Sequence, residues 1–262
     1  MKLKVRTRLC CTSLILSCLL LVFTGCRTQQ AVTEAPVDTA TVADLITQSD
    51  ALYAQREDLA KVREGLALLR RARGKEANSY DVLWRISKLD YYLGAHTKDR
   101  AERDKAFEEG IEAGQAAISL QDGKPEGHFW LGANHGGIAQ TSLLGGLAEI
   151  DDIREQMNAV LRTDEAYQSG SAYMVLGQVE LEAGRMMGDP LKAVEYLEKG
   201  LKFGPNNPLL RLRLAQAYQK VGRKDDARKQ LDAIQSLTPD PNYLPEHKEA
   251  SIEARKIIDR GL

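Results

Sequence analysis

The chain has 262 residues, 28% of them charged and 6% aromatic, with a formal net charge of -1. Such a balance argues against a nucleic-acid partner, which selects a strongly basic face. Ala, Leu and charged residues dominate, which favours helices over strands, and the length fits one elongated domain or two small compact ones.

The first 26 residues hold the sharpest local signal. Lys2, Lys4, Arg6 and Arg8 precede an uncharged run of fifteen residues from Leu9 to Phe23, and Phe23-Thr24-Gly25-Cys26 closes the segment. A basic start orients such a segment, the apolar run enters the translocon, and small residues before the cysteine admit a peptidase to the backbone. The pattern resembles the lipobox of bacterial lipoproteins, with Phe23 where Leu is usual. It implies that residues 1–25 are a signal peptide and that the mature protein begins at an acylated Cys26. A single-span anchor and a cleaved secretory signal are the alternatives. A span needs about 20 apolar residues, and this run is shorter and broken by Thr12, Ser13 and Ser17.

The four cysteines are Cys10, Cys11, Cys18 and Cys26. Cleavage before Cys26 leaves one sulfur, which carries the lipid, and so excludes an internal disulfide, cysteine catalysis and cysteine metal ligation. Loss of residues 1–25 also takes the net charge from -1 to -5, because it removes four basic residues and no acidic ones. Arg27, not Asp, follows Cys26. By resemblance to lipoproteins of double-membraned bacteria, this implies an outer-membrane protein facing the periplasm.

Residues 26–41 contain no aromatic residue and no periodic apolar face. They read as a flexible tether with an end-to-end distance of roughly 20 Å. Residues 42–262 read as one helical domain. Early helical pairs are expected over Leu45–Gln55 with Glu64–Arg73, and from Trp84, Leu89 and Tyr91 to Ala106–Ile118. Then come the run Pro125 to Gly137 and an inserted helix in which Ile150, Ile153, Met157, Val160 and Leu161 share one apolar face.

The C-terminal units show the repeat most clearly. Counting Pro208 as the first residue, Leu214, Ala215, Tyr218, Gly222, Ala227, Leu231, Ile234 and Pro239 take places 7, 8, 11, 15, 20, 24, 27 and 32. That is the spacing of the tetratricopeptide repeat. Asn207 is expected to cap the first helix with Pro208 at its first position, and Gly222 to end it in a left-handed conformation. In the preceding unit, Tyr173, Leu176, Gly177 and Gly184 take places 4, 7, 8 and 15. Ala193, Leu197, Gly200 and Pro205 take places 20, 24, 27 and 32 after a four-residue insertion, Arg185-Met186-Met187-Gly188, read as a surface loop. Glu180 stands where Tyr is usual. Asp189-Pro190 reads as an N-cap and first-turn proline, and Glu246–Arg260 as a polar capping helix. The expected fold is therefore all-α, a right-handed solenoid of degenerate tetratricopeptide-like hairpins with an inserted helix.

No converging acid, base, nucleophile or metal set is evident. The four histidines are His96, His128, His135 and His247, and the closest pair is seven residues apart, too far for the usual four-residue zinc spacing. Neither metal nor cofactor is expected. Asp151-Asp152 and Glu108-Glu109 read as solvated helix faces, and the four-residue spacing of Gly132 and Gly136 as close helix packing. The candidates for a binding groove are Trp84, Tyr91, Tyr92, His128, Trp130, Asn134 and His135. The competing reading makes the aromatics core fillers, whereas Asn134 and His135, polar groups in an apolar helix, need partners wherever they are buried.

The lipoprotein signal, Pro125-Glu126-Gly127-His128-Phe129-Trp130, the Gly-Gly-Leu of 145–147 before Ile150–Leu161, and Gly188-Asp189-Pro190 before Ala193–Leu201 together resemble the T component (TatT) family of TRAP transporters. The resemblance covers most of residues 42–235. It implies a non-enzymatic, periplasm-facing lipoprotein that partners the periplasmic solute-binding protein of a solute transporter, with an apolar or organic-acid ligand as a further expectation. The alternative is an outer-membrane assembly or secretion scaffold whose groove takes a peptide from another envelope protein. Self-association through an exposed apolar face of the inserted helix is a further route to an oligomer.

Overall fold

A computed structural model describes residues 39–141, 143–183 and 187–261. The export signal, Cys26, nearly all of the tether and residues 184–186 of the expected loop region lie outside the described residues. The regular elements among the described residues are helical. They are α1 (Val42–Tyr53), α2 (Leu59–Lys75), α3 (Tyr80–His96), α4 (Arg100–Leu120), α5 (Pro125–Thr141), α6 (Leu143–Thr163), α7 (Ser171–Glu182), α8 (Pro190–Phe203), α9 (Pro208–Lys220), α10 (Lys224–Ser236) and α11 (Leu244–Asp259), with a 3₁₀ turn at Pro241–Tyr243. No helix among the described residues is long and apolar enough to cross a membrane.

Local chemistry sets the helix ends. Thr41 and Asp44 form a reciprocal capping box at the start of α1. The Asp189 carboxylate accepts from the amides of Leu191 and Lys192 ahead of Pro190, and Asn207 Oδ1 accepts from Leu210 N at 3.1 Å ahead of Pro208. Both occupy the cap positions read from the sequence. Gly222 has φ +79°, and the amide of Arg223 reaches back to the Tyr218 carbonyl at 2.8 Å, closing α9.

Consecutive helices pair as hairpins, α1 with α2, α3 with α4, α5 with α6, α7 with α8 and α9 with α10, and α11 covers the last pair. Helix α4 begins at Arg100, six residues before the segment expected for it, so the early pairs are joined by short turns between long helices. The stack buries successive apolar layers. Leu45, Val62, Leu66, Leu69, Ile86 and Leu89 fill the first, and Phe129, Trp130, Ile153, Met157, Val160 and Leu176 fill the middle one. Leu197, Leu214, Ala215, Tyr218, Ala227, Leu231 and Ile234 fill the last, closed by Ala250 and Ala254 of α11. Each large aliphatic side chain so buried contributes about 1.5–3 kcal/mol. This is an all-α solenoid of repeats.

The inserted helix is α6, and it also serves as the second arm of the middle hairpin, with α5 its main neighbour. Its Ile150, Ile153, Met157 and Val160 are buried. That covered face is not available for the self-association expected of it. A Cβ on Gly132 would lie 2.5 Å from Met157 Cε, so this glycine permits the close approach of α5 and α6. Gly136 departs from that reading, since a Cβ there would meet nothing within 4 Å. Glu180, in place of the usual Tyr, is 4% exposed and accepts from Arg154 Nη2 at 3.0 Å and from the Asp189 amide at 3.0 Å. A polar clasp between α6, α7 and the start of α8 thus replaces an aromatic ring.

The two ends of the solenoid meet. Arg56, in the turn after α1, is 4% exposed and donates from Nη2 to Glu246 Oε2 at 2.6 Å and to the Asn242 carbonyl at 2.8 Å. Lys248 pairs with Glu57 at 3.1 Å along the same seam. A hydrogen bond to a charged group contributes about 1.5–3 kcal/mol. Arg56→Met is therefore expected to lower the melting temperature by about 2–4 °C per kcal/mol in a domain of this size, and to speed limited proteolysis between residues 237 and 244. Unchanged melting and cleavage would show that the seam does not hold.

Candidate binding groove

Helices α3, α5, α7 and α9, each the first of its hairpin, line a cavity of about 1620 Å³, and α6 and α11 add to its wall. Part of its lining is apolar and aromatic, from Tyr91 of α3, Phe129 and Trp130 of α5, Ile150 and Ile153 of α6, and Met174, Val175 and Val179 of α7. The rest is polar, including Asn206 and Asn207 of the α8–α9 turn, Asp240, and Glu246, Glu249 and Glu253 of α11.

The aromatic residues hold one another in place. The rings of Phe129 and Trp130 meet edge to face at 5.0 Å, Tyr91 lies 5.8 Å from Trp130, and Tyr167 lies 5.3 Å from Phe129. Such pairs add about 0.5–1.5 kcal/mol beyond area burial. Lys88 Nζ is 3.9 Å from the Tyr53 ring centre and 5.8 Å from that of Trp130. Burial pulls the Lys88 ammonium down to about 8, with Asp50 opposing.

Of the residues proposed from the sequence, Tyr91, Tyr92 and Trp130 line the cavity, whereas Trp84, His128, Asn134 and His135 are not among its lining residues. Trp84 donates from Nε1 to Asp81 at 3.3 Å, and the Arg85 guanidinium covers its ring at 4.2 Å. His128 is tied through Nδ1 to Gln156 Oε1 at 2.7 Å and through Nε2 to the Asp122 carbonyl at 2.9 Å. Asn134 is fully buried and donates to the Ser87 carbonyl at 3.0 Å and the Trp130 carbonyl at 2.8 Å. Its amide fills the space that Gly110 leaves open on α4. His135 stands against Glu149 of α6. The Asn134 amide nitrogen and the half-buried His135 therefore find partners within the protein, as ties between helices, while Asn134 Oδ1 has no hydrogen-bond partner among the described residues.

Several lining residues carry a signal that the repeat register could have revealed. Counting Gly170 and Pro208 as first residues, Ser171, Met174, Val175 and Gln178 take places 2, 5, 6 and 9, and so do Leu209, Leu212, Arg213 and Gln216. All eight line the cavity. The acidic residues of α11 carry no such mark, since α11 stands outside the repeat.

Behind Tyr91, Asp90 is fully buried, and neither carboxylate oxygen has a hydrogen-bond partner among the described residues. Arg70 Nη2 approaches to 3.5 Å. Burial pushes the Asp90 carboxyl up to about 8, with Arg70 pulling the other way. Its folded pKa lies above the unfolded value near 3.9, so the folded state binds the proton more tightly. The associated stability is present below about pH 4 and is lost as pH rises toward 8. Asp90→Asn should therefore raise the melting temperature at pH 8 by several degrees, and should flatten its pH dependence between 4 and 8. Melts at pH 5 and pH 8 check this, and equal melting of variant and wild type at pH 8 would refute it.

Residues 45–169, just under half of the chain, match a family model described as Regulator of microtubule dynamics protein 1-3, and residues 185–244 match the Tetratricopeptide repeat. Among solved structures the chain is similar to a thermophilic tetratricopeptide-repeat protein of Thermus thermophilus. The identity is 16% and the TM-score 0.64, over 83% of this chain and 99% of that one. It is also similar to PilF of Pseudomonas aeruginosa, with 16% identity and a TM-score of 0.56 over 84% and 90% of the two chains. At such identities the likeness is one of fold. No curated protein matches the sequence.

Proposed function

From a chain built of tetratricopeptide-type repeats, which in general mediate protein–protein interaction, we propose a non-catalytic binding scaffold of the cell envelope. It is anchored by lipid on Cys26 and captures a partner protein at its groove. The observation that carries this reading is the aromatic and aliphatic lining of Tyr91, Phe129, Trp130, Met174 and Val175, set on inward helices. At about 1620 Å³ the cavity exceeds the roughly 300–1,000 Å³ that encloses a drug-sized molecule. A polypeptide segment, alone or with a small apolar ligand, suits that space.

The finer reading is the auxiliary T component of a TRAP-type solute transporter, with a periplasmic solute-binding protein as partner. It is supported by the resemblance around Pro125–Trp130 and Gly188-Asp189-Pro190 and by the export signal. A second reading, a scaffold for outer-membrane assembly or secretion, is favoured by the polar lining. Asn206 and Gln216 can hydrogen-bond an extended backbone.

Crosslinking in membranes separates the two. The expected product is a soluble periplasmic solute-binding protein, with recovery at least tenfold lower for Tyr91→Ala and Val175→Arg, both at half-buried positions of the lining. Recovery of only β-barrel, pilus or secretin components would replace the transporter reading by the scaffold. Undiminished capture by both folded variants would move the binding surface away from the groove.

The anchor has its own test. Cys26→Ala is expected to abolish lipid labelling and to release the protein from membranes. Full membrane retention without label would instead favour a single-span anchor.

A further inference from the structure

The α5–α6 hairpin gathers metal-binding side chains outside the groove lining. Gly132 lets the helices approach, with room beside it only for Met157 and Gln156, and His135 follows three residues later against α6. Its Nδ1 lies 2.5 Å from Glu149 Oε2. Asp152 follows Glu149 by three residues and shares its helix face. One donor atom from each of His135, Glu149 and Asp152 lies within 4.8 Å of the others.

Charge points the same way. Glu102, Glu180, Glu198 and Glu246 each pair with an arginine. Neither Glu149 nor Asp152 makes an ion pair with lysine or arginine among the described residues. Two carboxylates thus face one imidazole, leaving net negative charge that a divalent cation neutralises. The side chains of His135 and Glu149 are 15% and 21% exposed, which strengthens that demand, whereas Asp152 is exposed and leaves a side open to water.

We infer that His135, Glu149 and Asp152 form a site for a divalent transition-metal ion of the Zn²⁺ class, completed by water. One imidazole nitrogen and two carboxylate oxygens are a donor set that Zn²⁺ accepts. Zinc bonds of about 2.0–2.2 Å place tetrahedral donors roughly 3.3 Å apart. Rotation of the exposed Asp152 and a small separation of His135 from Glu149 would meet that distance without moving either helix. Bound metal would pin α5 to α6 on the hairpin that presents Phe129 and Trp130 to the groove. The site joins neighbouring helices, so the spacing of histidines along the chain does not reveal it.

The test uses the full-length protein in detergent, free of tag histidines, with Zn²⁺ alone as titrant and Co²⁺ as the visible-absorption probe. The expected result is one Zn²⁺ per chain, a higher melting temperature with zinc, and a cobalt spectrum with imidazole and carboxylate ligation. Asp152→Asn, at an exposed position, should leave the zinc-free melting temperature unchanged, weaken zinc at least tenfold and remove the zinc-induced stabilisation. His135→Gln should abolish binding. Absence of zinc binding up to millimolar concentration, or equal affinity of wild type and Asp152→Asn, would overturn the site, whatever the folding of the His135 variant.

Discussion

Arg56 carries the constraint on which the rest of the architecture depends. In a stack of helical repeats each unit touches only its neighbours, so nothing in the repeat itself brings the first hairpin to the last helix. Here a guanidinium that is almost fully buried satisfies the Glu246 carboxylate and the Asn242 carbonyl across 190 and 186 residues of chain. The rings of Tyr53 and Tyr92 lie 5.0 and 5.8 Å from its Cζ atom. A buried charge is costly without partners, so the curl that supplies them is favoured over one that leaves Arg56 unpaired. Tyr243 adds a bond to Gln168 at 2.8 Å, tying the last turn to the middle of the stack.

The curl gives the groove its two kinds of lining. Aromatic and aliphatic groups come from α3, α5, α6, α7 and α9, and acidic groups come from α11, which its packing on the last hairpin and the seam together bring into range. The polar residues of α5 serve a different end. Asn134 and His128 spend their hydrogen bonds on Ser87, Trp130, Gln156 and Asp122. Those bonds hold α5 against its neighbours, so that Phe129 and Trp130 reach the cavity at a set angle. Glu180 acts similarly between α6, α7 and the start of α8. These are rigid supports for an apolar surface, the combination expected of a binding scaffold.

Much of the architecture was legible before any coordinates, because the features that specify it are local. Asn207, Pro208, Asp189, Pro190 and Gly222 act on their own backbone within a few residues, and Leu214, Tyr218, Ala227 and Leu231 act through a fixed helical period. The groove was legible only in part. Tyr91, Tyr92 and Trp130, singled out as aromatics, line the cavity, while Met174, Val175 and Gln178 resemble ordinary helix surface until the register of the repeat is applied to them. Trp84, His128, Asn134 and His135 looked equally suitable, and only their neighbours across helix interfaces set them apart.

The sequence by itself determined the helices, their caps, the repeat and its order of packing, since each follows from side-chain chemistry acting over one or two turns. Tertiary structure alone decided that the ends meet at Arg56 and Glu246, that Gly136 faces open space while Gly132 packs, and that His135 joins Glu149 and Asp152. The last two depend on how α5 is rotated against α6 within one hairpin, and the meeting of the ends on the summed angles between successive hairpins. Small rotations at each interface accumulate over the stack, and no local pattern of residues encodes their total.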